Sequence, residues 1–306
     1  MTRTSLIVVW LGMAACLTAN SNAVEKVKEI RIVHEIREIE GWRVRVDVSL
    51  LKGEHKATGD LALRIMDQRL HRIRMRVPAG PVAKMQEVPI FLDRAHPLGG
   101  AHFHPSGGWL KSHGYDPAMG KSVHITSANV LIGSAKRSGG GCVMLHELAH
   151  AYHFRVLGFN NRDIIEGQKQ FRLSGKFEMV PYASGHKRPH YGLMNPMEYF
   201  AEMSEAFFVS NDFYPFNRSE LAASDPHTYK LIGRIWGVKT KLPGTPGKRR
   251  LDWQDLMILA TVKSDRGLHD EALELLDQAK QRSPGNERVA KLRKKIETAK
   301  AKGESR

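Results

Sequence analysis

Residues 146–150 read His146-Glu147-Leu148-Ala149-His150, and this pentapeptide decides how the rest of the chain is interpreted. On an α-helix, residues four positions apart lie on one face, so both histidines can bind the same metal ion. Glu147 then lies beside that ion, where its carboxylate can accept a proton from water. The flanking residues are apolar nearly all round, which indicates a buried helix. We therefore expect a catalytic zinc site, the alternative being a helix with hydrogen-bonded core histidines.

A catalytic zinc ion takes three protein ligands and keeps one position for water. The pattern that places a third histidine six residues after the second fails here, because His153 and Val156 stand where its glycine and histidine belong. A side chain further downstream must therefore supply the third ligand. The candidates are Glu166, Glu178, His186, His190, Glu198, Glu202, Glu205 and Asp212.

The segment 195–208 favours one of these candidates. Asn195 and Pro196 are typical of a helix start, and Glu198 and Glu202 follow one helical turn apart. Most other positions of the segment are apolar, which leaves little room for a solvated acidic face. We expect Glu198 to be the third ligand and Glu202 to orient a ligand histidine through its ring N–H. A solvated face, or a helix-capping role for Glu198, is the alternative.

The spacing of these residues resembles a known family. The sequence Glu198-Tyr199-Phe200-Ala201-Glu202, with HELAH upstream and Tyr191 seven residues before Glu198, is similar to the catalytic domain of anthrax toxin lethal factor and to the Pro-Pro endopeptidases. The resemblance covers about residues 86–236. It implies a gluzincin-type domain in which His146, His150 and Glu198 bind one zinc ion.

The same resemblance implies that Glu147 is the general base and that Tyr191 stabilises the tetrahedral intermediate. A phenol hydroxyl is also a chemically reasonable donor to an oxyanion, although Tyr191 as a packed aromatic residue is the alternative. The signal peptide and the C-terminal repeat described below are not part of the lethal factor pattern, so toxin biology is not implied.

Sequence patterns outside the motif predict an α+β fold: a small sheet with active-site helices, followed by a helical hairpin. Strands are expected over residues 42–50, 88–92, 101–104 and 122–126, and a helix over 60–77 that Pro78 and Gly80 end. His102 and His104, in one of these strands, are interpreted as ordinary surface residues, the alternative being that they line the substrate groove. The expected parts are a signal peptide (1–23), an N-terminal strand and helix region of the catalytic domain (24–85), the metallopeptidase core (86–236), a linker (237–250) and a helical hairpin with a capping helix (251–301).

The C-terminal segment resembles a single tetratricopeptide repeat, which is fewer than an independent array needs. We expect it to bind a protein or to pack on the catalytic domain, a simple helical hairpin being the alternative. The amino terminus has a positive start, an apolar run from Leu6 to Leu17 and small residues before Ala23. It predicts an exported protein, cleaved after Ala23, with lipid attachment through Cys16 as the less favoured alternative.

Cys142 is then the one remaining cysteine, and we expect it to be a small buried apolar residue, the alternative being that it approaches the metal from four residues before His146. The chain carries a net charge of +15, yet it shows no recognisable nucleic-acid module, so no nucleic acid is expected as a partner. An anionic envelope surface and a peptide or protein substrate are the expected partners.

The leading functional hypothesis is an exported zinc endopeptidase. A second hypothesis is a catalytically silent binding or scaffold protein in which the metal only stabilises the fold. The presence of Glu147 argues against it, since a structural site needs no base. A third is a zinc amidase that acts on cell-wall peptides, which would use the same residues.

Overall fold

The computed structural model describes residues 32–137, 141–242 and 251–304. The expected signal peptide, Cys16 and residues 243–250 of the expected linker lie outside these ranges. Within them, no helix is both long enough and apolar enough to cross a bilayer.

Seven strands and twelve helices make up the described chain. The strands are β1 (His34–Ile39), β2 (Trp42–Asp47), β3 (Ile90–Leu92), β4 (Ala101–His104), β5 (Ser122–Ile125), β6 (Val180–Pro181) and β7 (Lys187–Arg188). The helices are α1 (Lys56–Arg76), α2 (Ala79–Gln86), α3 (Gly107–Ser112), α4 (Ala128–Lys136), α5 (Val143–Tyr152), α6 (Arg162–Leu173), α7 (Pro196–Phe208), α8 (Arg218–Ser224), α9 (Pro226–Ile235), α10 (Trp253–Asp265), α11 (His269–Arg282) and α12 (Glu287–Glu304).

The main sheet has five strands in the order β1-β2-β3-β5-β4. The two inner pairings, β2 with β3 and β3 with β5, are parallel, whereas the outer strands β1 and β4 run antiparallel to their neighbours. This mixed sheet with its surrounding helices confirms the predicted α+β class. Strand β4 therefore lies at an edge of the sheet.

Strand β2 shows how the sequence pattern builds the sheet. Its apolar residues Trp42, Val44 and Val46 are buried, while the alternate arginines are exposed. The strand ends at Asp47, earlier than expected, because the Asp47 side chain accepts the backbone N–H of Ser49 (2.8 Å) and caps a short 3-10 turn. The turn into β2 has positive φ at Glu40 (52°) and at Gly41 (88°), as two-residue hairpins require.

Two elements of the N-terminal half differ from the expectation. Strand β1 was not predicted, because most of its residues are polar and exposed. Helix α1 starts at Lys56 rather than Asp60 and ends before Pro78 as expected, but a second helix, α2, begins directly after that proline. Pro78 ends one helix and stands at the N-terminus of the next, where its missing N–H costs nothing.

The motif helix α5 crosses the interior of the fold. It packs on α7 on one side and lies against β4 and β5 on the other. After Tyr152 the chain continues through a wider π-helical turn, His153–Leu157, and stops at Gly158, whose φ of 78° suits glycine. The predicted end of the motif helix at Gly158 is thus confirmed.

The C-terminal helices α10, α11 and α12 pack on one another around their own apolar cluster. This cluster contains Leu256, Ala260, Ala272, Leu276, Ala279, Val289 and Ile296. The prediction of a C-terminal helical segment is confirmed, while its assignment as a tetratricopeptide-like repeat stays a prediction.

Candidate metal centre

Helices α5 and α7 bring three side chains of the predicted site together. The Nε2 atoms of His146 and His150 lie 3.1 Å and 3.3 Å from the same oxygen, Oε2 of Glu198. The two imidazole rings stand nearly perpendicular, 84° apart, with their centres separated by 4.7 Å. We call these three residues the cleft site.

The start of α7 fixes the position of Glu198. The Asn195 side chain accepts the backbone N–H groups of Met197 and Glu198, both at 2.9 Å, which makes it the helix cap that the sequence predicts. Glu198 therefore lies in the first turn of α7, and the packing of α5 on α7 directs this turn toward the two histidines. Its carboxylate faces the imidazoles instead of bulk solvent, with 15% of the side chain exposed.

The geometry of the cleft site suits a tetrahedral metal ion. Nitrogen and oxygen ligands held at about 2.0–2.1 Å from a tetrahedral zinc ion lie roughly 3.3 Å from one another. The two Nε2···Oε2 separations in the cleft site, 3.1 Å and 3.3 Å, are close to this value. His146, His150 and Glu198 could therefore hold a metal ion, and two imidazoles with one carboxylate are the ligands of many catalytic zinc sites.

The electrostatic surroundings of His146 also favour a cation. Burial by itself would lower the pKa of His146, but hydrogen bonds with Glu198 and Glu205 raise it well above the ordinary value. Burial acts on Glu198 in the opposite sense, and the hydrogen bonds with His146 and His150 outweigh it, so the pKa of Glu198 is lowered. The site thus stabilises positive charge between its carboxylates, whether a proton or a metal ion carries that charge.

A carboxylate on α7 contacts the other ring nitrogen of His146. Oε1 of Glu205 lies 2.8 Å from Nδ1, whereas Oε1 of Glu202, the residue expected in this role, lies 3.5 Å away. The second oxygen of Glu205 accepts the backbone N–H of buried Cys142. The second oxygen of Glu202 is buried and has no hydrogen-bond partner among the described residues. Glu205 is therefore placed best to orient His146.

His146, Glu202 and Glu205 form a further group whose atoms could hold a metal ion. A histidine that binds a metal ion through Nε2 carries its proton on Nδ1, so His146 cannot be a ligand in both groups, and we interpret this group as hydrogen-bonded support of His146. Gly141 makes room for it, because a Cβ atom at that position would lie 2.6 Å from Oε2 of Glu205. The spacing of Glu198, Glu202 and Glu205 along one helix face is the signal that could have indicated Glu205.

Glu147 and Tyr191 lie beside the cleft site. Glu147 is largely buried on α5, yet it lines both of the clefts that meet there. Tyr191 lies in the turn before α7, with its ring centre 6.4 Å from that of His146. Burial and then the charge of Glu198 raise the pKa of Tyr191 to about 12, so its hydroxyl keeps its proton at neutral pH and can donate a hydrogen bond.

The remaining third-ligand candidates have other surroundings. Glu166 accepts a hydrogen bond from Gln170, and Asp212 accepts one from the Tyr182 hydroxyl. His190 is buried and caps the turn that carries Tyr191, by accepting the N–H of Gly192 at 3.0 Å. Glu178 and His186 are exposed.

Two open clefts meet at His146, Glu147 and Tyr191. The first, of about 310 Å³, has the edge strand β4 as a wall, through Ala101, His102 and Phe103. The second carries basic, aromatic and acidic side chains, which include Arg137, Arg188, Tyr182, Phe213, Glu202, Glu205 and Asp212. The two clefts together form an open groove beside the cleft site, with one wall of β-sheet.

The interpretation of His104 as a surface residue is wrong. Its side chain is buried, with Nε2 lying 3.2 Å from Nδ1 of His124 on the neighbouring strand. The structure assigns the two histidines of β4 to different places, His102 to the cleft wall and His104 to the interior.

Comparison of the chain with protein-family models, with curated proteins and with solved structures finds no match. The candidate function therefore depends on the residues and their geometry alone.

Proposed function

We propose that this protein is a zinc-dependent endopeptidase whose metal ligands are His146, His150 and Glu198. The observation that carries the proposal is the convergence of two imidazole Nε2 atoms on one carboxylate oxygen, beside an open groove that Glu147 lines. A zinc ion bound there supplies Lewis acidity, which lowers the pKa of water and polarises a carbonyl group.

Three side chains of the protein support that chemistry. Glu147 accepts the proton of the attacking water and returns it to the leaving amine. The Tyr191 hydroxyl donates a hydrogen bond to the oxyanion that develops on the carbonyl oxygen. Glu205 accepts a hydrogen bond from the Nδ1–H group of His146 (2.8 Å) and so keeps the Nε2 lone pair directed into the site.

The edge strand favours a peptide as substrate. The sheet order ends at β4, so in the described part of the chain one side of this strand has backbone groups that no neighbouring strand uses. An extended peptide can pair with such an edge and thereby reach the cleft that β4 borders.

The finer assignments belong to the same proposal. The spacing from Tyr191 to Glu202 supports a gluzincin-type domain similar to the lethal factor catalytic domain and the Pro-Pro endopeptidases. Export and the repeat-like C-terminal segment rest on the sequence patterns described above. A zinc amidase would use the same residues. The substrate that is cleaved distinguishes an amidase from the proposed endopeptidase.

The test measures zinc content and peptide cleavage on the same samples of purified protein. Glu147→Gln should keep its zinc and lose activity by at least about 10²–10⁴-fold, because the base is removed while the ligands stay. Glu198→Ala should lose activity together with the zinc ion that its carboxylate helps to hold. Glu178→Gln is the matched control, since Glu178 is exposed and lies outside the clefts that meet at Glu147.

Wild-type activity in Glu147→Gln would remove the peptidase proposal. Unchanged zinc content in Glu198→Ala would move the third ligand elsewhere. Cleavage of cell-wall peptides, with general peptide libraries left intact, would replace the endopeptidase by an amidase.

A further inference from the structure

A second cluster of histidines and a carboxylate lies in the sheet, apart from the cleft site. Asp93 directly follows β3, His96 lies in the loop after it, and His124 lies in the neighbouring strand β5. Each of the three residues offers one ligand atom, and these atoms lie within 4.8 Å of one another. We call these three residues the sheet site.

All three side chains are almost inaccessible to solvent: Asp93 is 1% exposed, His96 7% and His124 0%. Nε2 of His124 lies 2.8 Å from Oδ2 of Asp93. Two aromatic nitrogens and a carboxylate are rarely buried together unless hydrogen bonds or a metal ion satisfy them.

His96 is the member that hydrogen bonds leave incomplete. Its Nε2 atom is buried without a hydrogen-bond partner in the described chain, and its ring centre lies 4.7 Å from that of His124. The one contact of its Nδ1 atom is long, 3.3 Å from the N–H of Leu98. Burial lowers the pKa of His96 to about 4, so the ring is neutral at pH 7. It can present a lone pair to a metal ion at Nε2 by carrying its proton on Nδ1, at the expense of the Leu98 contact.

Two further histidines hold the other members in place. His34 Nε2 lies 2.7 Å from Oδ1 of Asp93, and His104 Nε2 lies 3.2 Å from Nδ1 of His124. Residues that bind metal ions commonly have their remaining polar atoms hydrogen-bonded in this way, because such contacts fix the orientation of the ligand.

We propose that Asp93, His96 and His124 bind a second divalent metal ion with a structural role. Two imidazoles and one carboxylate favour zinc or another ion that accepts nitrogen ligands, over magnesium or calcium. The ion would fasten the loop between β3 and β4 to strand β5. Because this loop leads into β4, the wall of the first cleft, the ion would stabilise the substrate groove without taking part in the reaction.

The test counts metal ions by elemental analysis after dialysis of the purified protein against a weak chelator. Wild type should retain two zinc ions per chain. A variant without the cleft site, His150→Ala with Glu198→Ala, should retain one. Adding His96→Leu to that variant should remove the second ion, whereas His227→Leu, an exposed histidine in α9, should not.

The decisive sample is the variant without the cleft site, which needs no change in the sheet. One retained ion, together with an increase of its melting temperature when zinc is restored to stripped protein, supports the sheet site. No retained ion overturns it, as does an ion whose retention His96→Leu leaves unchanged. The count requires no substrate, so it stands or falls separately from the endopeptidase proposal.

Discussion

The cleft site and the sheet site share their ligand chemistry and differ in their surroundings. Each combines two histidines with one carboxylate. The side chains of the cleft site are 12–15% exposed, whereas those of the sheet site are 0–7% exposed. The types of ligand therefore do not separate the proposed catalytic site from the proposed structural one. The two sites are distinguished by their access to solvent and by the groups around them.

Those neighbouring groups differ in kind. Around the cleft site lie Glu147, which can accept a proton, and Tyr191, which can donate one, and both line a groove. Around the sheet site lie His34 and His104, whose nearest polar atoms are the ligand side chains themselves. At the cleft site, Glu147 and Tyr191 therefore face the groove, where a bound molecule can reach them. At the sheet site, the surrounding histidines form hydrogen bonds with the ligand side chains instead.

The largest expected effect among the remaining variants comes from Tyr191→Phe. Removal of the hydroxyl takes one donor from the oxyanion, which should lower kcat by about 10²–10³-fold. Zinc content should stay at the wild-type value, because Tyr191 is not a ligand. Steady-state kinetics with a defined peptide, combined with metal analysis, measures both quantities.

Tyr182→Phe is the matched control for this variant. Tyr182 lines the second cleft, but its hydroxyl contacts Asp212 at 3.1 Å, so kcat should change little. If Tyr191→Phe cleaves at the wild-type rate while Tyr182→Phe does not, the donor has been assigned to the wrong tyrosine.

The sequence predicted those parts of the site that depend on local spacing. The i, i+4 histidines of α5, the cap at Asn195 and the helix end at Gly158 each follow from residues close to one another in the chain. Which carboxylate of α7 contacts Nδ1 of His146 could not be predicted in this way. Glu202 and Glu205 lie on neighbouring parts of one helix face, and the rotation of α7 against α5 decides between them.

The sheet site shows the same limit over a longer range. Asp93 and His96 follow β3, whereas His124 lies in β5, and the sequence gives no local signal that these three residues meet. Strand pairing between β3 and β5 brings them together. His104 was misinterpreted for this reason, because its burial depends on a partner twenty residues away.

The next largest effect is expected from Glu205→Gln, which should lower the affinity of the cleft site for zinc. Loss of the charged acceptor at Nδ1 of His146 should weaken binding at the cleft site about 10–100-fold. Glu202→Gln is the comparison, and it should have a smaller effect because Glu202 lies farther from Nδ1, at 3.5 Å against 2.8 Å. Competition titration with a chromogenic zinc chelator measures both affinities.

The reverse order, with Glu202→Gln weakening zinc binding more, would restore Glu202 as the residue that orients His146. In both variants the ion of the sheet site should be retained, since neither glutamate belongs to that cluster. A loss of both ions together would show that the two sites are not independent.

The smallest expected effect concerns His153, a histidine outside both candidate metal sites. It is fully buried, and neither ring nitrogen has a hydrogen-bond partner within the described residues. It packs against Phe159 and Phe200, with ring centres 5.1 Å and 5.2 Å away. Removing its unsatisfied polar atoms in His153→Leu should raise the free energy of unfolding at pH 7 by about 1 kcal/mol.

The pH dependence gives this prediction a sign that can be checked. Burial, followed by the charge of His150, lowers the pKa of His153 to about 4, while an unfolded histidine titrates near about 6.5. Between these values the unfolded state binds more protons than the folded state. The wild-type protein therefore loses stability through His153 as the pH falls from about 6.5 toward 4. His153→Leu should therefore gain stability relative to wild type as the pH is lowered from 7 to 5.

Urea unfolding at both pH values measures the difference, with His227→Leu as the exposed control. Loss of metal at the lower pH affects both proteins alike, because they contain the same cleft and sheet residues, so the difference between them isolates His153. A constant difference in the free energy of unfolding between wild type and His153→Leu across this range would contradict the lowered pKa. It would mean that the protonated His153 ring has a hydrogen-bond acceptor in solution. Two unsatisfied ring nitrogens would then no longer separate His153 from His96 of the sheet site, which has one among the described residues.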